Sequence, residues 1–201
     1  GMLVHPSPRR NSGTLANAVL GYYQRTGQAC GVHPVTRLDR DTFGVVLFAK
    51  NAYIHEKFCE MQKKHQISKT YHASVYGTKM ADFGLIDLPI LKLPGRSLLR
   101  TVAPNGKKCR TLFAVLARFQ DVSVLELKPV TGRTHQLRVH CKYAGFPILG
   151  DPQYQSEESE AFSKENELFS QELCAKRLEF RHPMTGEKIT IYSRQNVWKS
   201  P

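Results

Sequence analysis

The chain has 201 residues, enough for one full-sized domain and too few for two of ordinary size. Hydrophobic residues make up 41% and charged residues 23%, with 14 Gly and 11 Pro, which excludes collagen-like, wholly disordered and disulfide-scaffold classes. Its 29 Lys and Arg against 17 Asp and Glu leave a net charge of +12, a balance that favours a polyanionic partner over solubility alone.

The charge is uneven. Residues 155–172 hold six acids and one base, so the remainder carries 28 bases against 11 acids. The longest apolar run, Gly44 to Ala49, is far short of the ~20 residues that cross a bilayer, and the N-terminus lacks a basic segment followed by an apolar one. No membrane partner is expected. Five cysteines, Cys30, Cys59, Cys109, Cys141 and Cys174, lie about 30 to 50 residues apart with no C-x-x-C pair. They predict reduced thiols in a cytoplasmic-type compartment.

In chain order, Leu15, Ala18, Val19 and Tyr22 repeat at helical spacing and predict a helix over 14–26, capped by Ser12 or Thr14 and ended by Gly27. The charge-dense turn Arg37-Leu38-Asp39-Arg40-Asp41-Thr42 runs into Val45 to Ala49, which reads as a buried strand. Asn51 can cap a second helix reaching about Gln66. Tyr71 to Tyr76 is rich in strand formers, and Thr111 to Phe119 with Val122 to Val130 reads as a hairpin around Gln120-Asp121. Thr134 can cap a short helix through Ala144, the acidic segment reads as helical from about Ser163 to Leu173, and two strands follow at Leu178 to Phe180 and Lys188 to Tyr192. The pattern predicts one α+β domain over residues 1–201, with a mixed, largely antiparallel sheet flanked by helices.

Two segments carry chemistry on their own residues. In Arg37 to Asp41, two acids and two bases make a solvated, self-paired turn the ordinary expectation. The buried strand that follows argues instead for one carboxylate facing inward beside an Arg, where it stays ionised and can serve as nucleophile or base. Thr131-Gly132-Arg133-Thr134-His135-Gln136-Leu137-Arg138 gathers cations at a helix start, a place suited to a phosphate or a carboxylate, or simply a basic surface helix.

These segments, with Lys69-Thr70-Tyr71 between them, Val139-His140 at the end of the second, and Ile148-Leu149-Gly150-Asp151 and Tyr154 after it, occur in an order that resembles RluA-type RNA pseudouridine synthases. Gly1 to Pro6 is similar to the end of that family's opening segment, and His182-Pro183-Met184-Thr185-Gly186 to its closing one. The resemblance implies isomerisation of uridine to pseudouridine in structured RNA, ribosomal RNA ahead of transfer RNA, with no metal or organic cofactor, and a monomer is expected. It implies Asp39 as the catalytic carboxylate, Tyr71 stacked on the flipped uracil and Arg133 paired with Asp39. Arg37 would lie near the target nucleotide and Leu149 near the uracil pocket. His135, Arg138, Lys142 and the loop bases Arg96, Arg100, Lys107, Lys108 and Arg110 are candidates for backbone phosphate.

Many members have His before the Arg-Leu-Asp triplet and Ser before the glycine, where this chain has Thr36 and Phe43. Measured against the family, the chain is expected to begin inside the opening motif, without the strand before it or an S4-type RNA-binding domain. A non-catalytic RNA-binding or ribosome-assembly module is the alternative reading.

Overall fold

In the computed structural model, residues 1–7, 11–95 and 99–198 are described. The predicted Arg96 lies outside them. Among the described residues, four helices, α1 (Leu15–Arg25), α2 (Ala52–Lys63), α3 (Gln136–Tyr143) and α4 (Glu157–Glu165), accompany eleven strands. The strands are β1 (His33–Pro34), β2 (Phe43–Gly44), β3 (Phe48–Ala49), β4 (Ser68–Tyr76), β5 (Phe83–Asp87), β6 (Ile90–Lys92), β7 (Arg100–Val102), β8 (Arg110–Arg118), β9 (Val122–Pro129), β10 (Leu173–Arg181) and β11 (Lys188–Tyr192). The main sheet runs β11-β10-β4-β9-β8-β5, all antiparallel, with β2 joined to β10 in parallel. This is the mixed, largely antiparallel α+β architecture that the pattern predicts.

Local chemistry explains the first two helices. Thr14 and Asn17 form a reciprocal capping box at α1, and the Asn51 side chain accepts the Ile54 N–H at 2.9 Å to start α2. The run Val45 to Ala49 is not one strand. Gly44 takes φ 112° and packs so closely on the Ala175 backbone that a Cβ would collide with it, which turns the chain between β2 and β3.

Tyr71, Ala73 and Val75 alternate onto one face of β4, opposite Leu127 and Leu125 of β9. Here they join Leu137 and Cys141 of α3, together with Phe146 and Ile148, in the principal core. A second cluster places Phe58 of α2 against Leu178 and Phe180 of β10. In the pairing register Leu178 lies opposite Lys69 and so shares its side of the sheet. Both α2 and α3 therefore cover the face that carries Lys69 and Tyr71, and the gap between these helices opens onto β4.

The acidic segment is helical earlier than predicted. Ser156 and Ser159 form a capping box that starts α4 at Glu157, and the chain leaves the helix after Glu165. Ser159 and Ser163 are buried, Ser163 Oγ accepts the Gly150 N–H at 3.0 Å, and Phe162 packs between Tyr76 and Trp198. Five of the segment's six acids are exposed, whereas Glu172 accepts the Trp198 N–H at 2.7 Å, and Ser163 braces the turn at Gly150.

Candidate active site

Asp39 is presented by a loop closed at its base. Val35 N–H donates to Leu47 O at 2.8 Å, and the buried Thr36 hydroxyl accepts the Leu47 N–H at 2.9 Å. Thr42 N–H returns to Asp39 O at 3.1 Å, making a turn whose Thr42 hydroxyl accepts from the buried Gln171 amide. Threonine at position 36 thus ties the loop, and Phe43 packs beside Val124 and Cys174.

The Asp39 side chain is 28% exposed and accepts from Arg138 Nη1 at 3.2 Å. Arg138 is itself held from behind. Its Nε and Nη2 donate to the two carboxylate oxygens of Asp151 at 2.6 and 2.7 Å, and Nη2 also reaches Gln153 Oε1 at 3.1 Å. Arg138 is 5% exposed and Asp151 fully buried. Burial opposes the charge of this guanidinium, but the Asp151 hydrogen bonds and the two carboxylates outweigh it and raise the Arg138 pKa. The Asp151 carboxylate is oriented in turn by the N–H groups of Gln153 and Tyr154 at 2.9 and 3.1 Å. Gly150, with φ 68° and the Ser170 backbone where a Cβ would stand, allows that tight turn.

This arrangement corrects two expectations. Arg138 is not a phosphate-facing cation on the surface of α3 but the partner of Asp39, and the proposed pairing of Arg133 with Asp39 is not formed. Arg133 is exposed, its Nε donates to Lys108 O at 3.4 Å, and its N–H is held by Gln136 Oε1 at 2.9 Å. Gln136 also accepts from Thr131 and donates to Arg110 O and Thr111 Oγ, pinning the turn before α3. The helix boundary falls at His135 rather than Thr134 and has no side-chain cap.

Tyr71 lines the same cavity as Asp39, a space of about 770 Å³ whose walls include Arg37, Lys69, Arg133 and His135. Burial first, and then the negative charge of Asp39, push the Tyr71 phenol up to about 12, so it remains a neutral hydroxyl at neutral pH. His135 sits at φ 56°, a left-handed conformation that costs a non-glycine residue energy, and its Nδ1 lies 2.8 Å from the Tyr154 hydroxyl. Burial lowers the His135 pKa, and Arg138 and Arg100 act in the same direction against the pull of Asp39.

The other predicted residues fall in two groups. Arg37 is exposed on the cavity wall, while Lys107 and Lys108 are exposed beside Arg133 on the segment leading into β8. Leu149 is fully buried, with its N–H on Ser74 O and its carbonyl accepting from Glu172. It is a core residue and does not line the cavity. Asp151 and Gln136 stand within the sequence motifs, which assign them no role, and Gln153 lies outside those motifs.

The sequence pattern of a family described as RNA pseudouridylate synthase matches residues 1–143, which include the Asp39 loop, Tyr71 and Arg138. The chain belongs to this family. RNA pseudouridine synthases YjbO and YlyB of Bacillus subtilis are 38% and 40% identical to it, each over 94% of this chain and over 64% and 61% of their own lengths. Ribosomal large subunit pseudouridine synthase D of Buchnera aphidicola is 33% identical over 96% of the chain and 63% of its own. The chain thus spans less than two thirds of these relatives. Human RNA pseudouridylate synthase domain containing 1 superposes with a TM-score of 0.74 at 26% identity, covering 93% of this chain and 81% of that one. Among the described residues, no helix is long and apolar enough to cross a membrane, and no group of three or more His, Cys, Asp or Glu is arranged to hold a metal ion.

Proposed function

We propose that this chain isomerises uridine to pseudouridine in RNA, with Asp39 as the catalytic carboxylate. The observation that carries the reading is the buried relay from Asp151 through Arg138 to Asp39, which sets a carboxylate at the wall of a cavity beside a neutral tyrosine. A guanidinium fixed bidentately on one side has its remaining N–H in a defined direction, so Asp39 is oriented before any substrate arrives.

The reaction breaks the C1′–N1 glycosidic bond, turns the uracil, joins C1′ to C5 and transfers the C5 proton. Nothing is oxidised or reduced overall, and no cofactor enters the balance. A carboxylate can attack the sugar or remove a proton from it on the way to a glycal. Tyr71, projecting from the rigid middle of the sheet, offers a flat face for the displaced base, whose removal from its stack costs a few kcal/mol. Arg37, Arg133, His135, Lys107 and Lys108 would meet the surrounding backbone, where cations position RNA without reading its sequence. Ribosomal RNA is the substrate favoured here, consistent with the name of the Buchnera relative. A monomeric state and a cytoplasmic location belong to the same proposal; the five free thiols support the latter.

The test is incubation with unmodified ribosomal and transfer RNA transcripts in EDTA, followed by carbodiimide mapping of pseudouridine. New pseudouridines at defined positions are expected. RNA binding without product would turn the reading to a non-catalytic RNA-binding module.

A further inference from the structure

Lys69 and Tyr71 are two residues apart on β4 and point to the same side, so both line the Asp39 cavity about 6.8 Å apart along the strand. The stem of Lys69 lies on apolar ground, opposite the buried Leu178 of β10. Its ammonium has no acidic partner among the described residues. Other lysines do find one: Lys57 pairs with Glu60, Lys128 with Glu126 and Lys164 with Glu160. Asp39 is engaged by Arg138. The charge that most affects Lys69 is a second cation, Arg37; burial first and then this neighbour lower the Lys69 pKa.

Two cations facing one cavity, one of them half-buried and with no anion beside it, are unfavourable in the free protein and become favourable when an anion bridges them. We propose that Lys69, with Arg37 beside it, holds a backbone phosphate of the nucleotide that enters the cavity. This rests on the reading of the cavity as the place of uridine isomerisation. With the base against Tyr71, Lys69 stands one strand repeat away, a separation comparable with the reach from a base to its own phosphate. The contact positions the nucleotide and takes no part in bond making.

The experiment measures binding of an unmodified ribosomal RNA transcript across a salt series, with steady-state kinetics on the same RNA, for wild type, Lys69→Met, Lys69→Arg and the surface control Lys164→Met. Lys69→Met is expected to weaken binding about tenfold, to lower the slope of log K against log salt by about 0.7 to 0.9, and to raise KM with kcat changed less than about twofold. Lys69→Arg should restore the slope, and Lys164→Met should leave it unchanged. A wild-type slope and KM in a folded Lys69→Met chain would overturn the proposal; should methionine unfold the strand, Lys69→Gln carries the same reading. Wild-type protein that shows the Lys69-dependent slope yet forms no pseudouridine would uphold the phosphate contact and defeat the isomerase reading instead.

Discussion

Arg133 and Arg138 lie five residues apart in one motif, yet their surroundings could hardly differ more. Arg138 is buried in the first turns of α3, with Asp151 holding two of its donors and Asp39 a third. Arg133 is exposed on the preceding turn, with one long bond to Lys108 O. A buried guanidinium with fixed partners sets geometry and is costly to remove; an exposed one contributes long-range attraction that salt screens. The comparison separates an organising region around Asp151 and Arg138 from a gripping rim formed by Arg37, Arg133, Lys107 and Lys108.

The largest expected effect breaks the organising region. Arg138→Met leaves the Asp151 carboxylate buried without its cation, and a loss of about 3 to 5 kcal/mol in unfolding free energy is expected from denaturant titration. A loss below about 1 kcal/mol would mean that Asp151 finds another partner. Gly150→Ala acts on the same region through the backbone, since alanine would be strained at φ 68° and would strike the Ser170 backbone. A cost of about 1 to 3 kcal/mol is expected, with reduced activity.

A pH titration sharpens the account of Tyr71. Below about pH 10 its phenol is neutral in both folded and unfolded chains. Between there and about 12 the unfolded chain releases the proton and the folded one keeps it, so stability falls as pH rises through that window. Tyr71→Phe should remove this part of the decline, and identical stability curves for the two proteins above pH 10 would show that Tyr71 ionises freely. The smallest effect on stability belongs to the rim. Arg133→Ala should stay within about 0.5 kcal/mol of wild type while RNA binding weakens and its salt dependence becomes shallower. A large stability loss would place Arg133 in the organising region.

How far the sequence is legible follows the same division between local and distant causes. The helices α1 and α2 begin at Thr14 and Asn51, whose side chains cap N–H groups three residues away, so the signal and its effect lie in one short stretch. The hairpin of β8 and β9 is similarly local. The short strands β5, β6 and β7 escaped because their pairing, more than the propensity of a few residues, defines them. Asp39 and Tyr71 were legible as motif positions, and the structure brings them to one cavity. The partner of Asp39 was not, because Arg133 and Arg138 carry the same group. Only the return of the chain at Gly150, which places Asp151 behind α3, decides which of them is buried. Leu149 misled for a related reason: an apolar residue next to a functional turn can face either the pocket or the core, and its neighbours in sequence do not say which.

The most direct test of the central claim is single-turnover isomerisation by Asp39→Asn, measured beside its affinity for the same RNA. The substitution keeps the shape of the side chain and removes its charge and basicity. The rate of pseudouridine formation is expected to fall by about 10³-fold or more while RNA affinity stays within a few-fold of wild type. Turnover near the wild-type rate would contradict the assignment of Asp39 as the catalytic carboxylate.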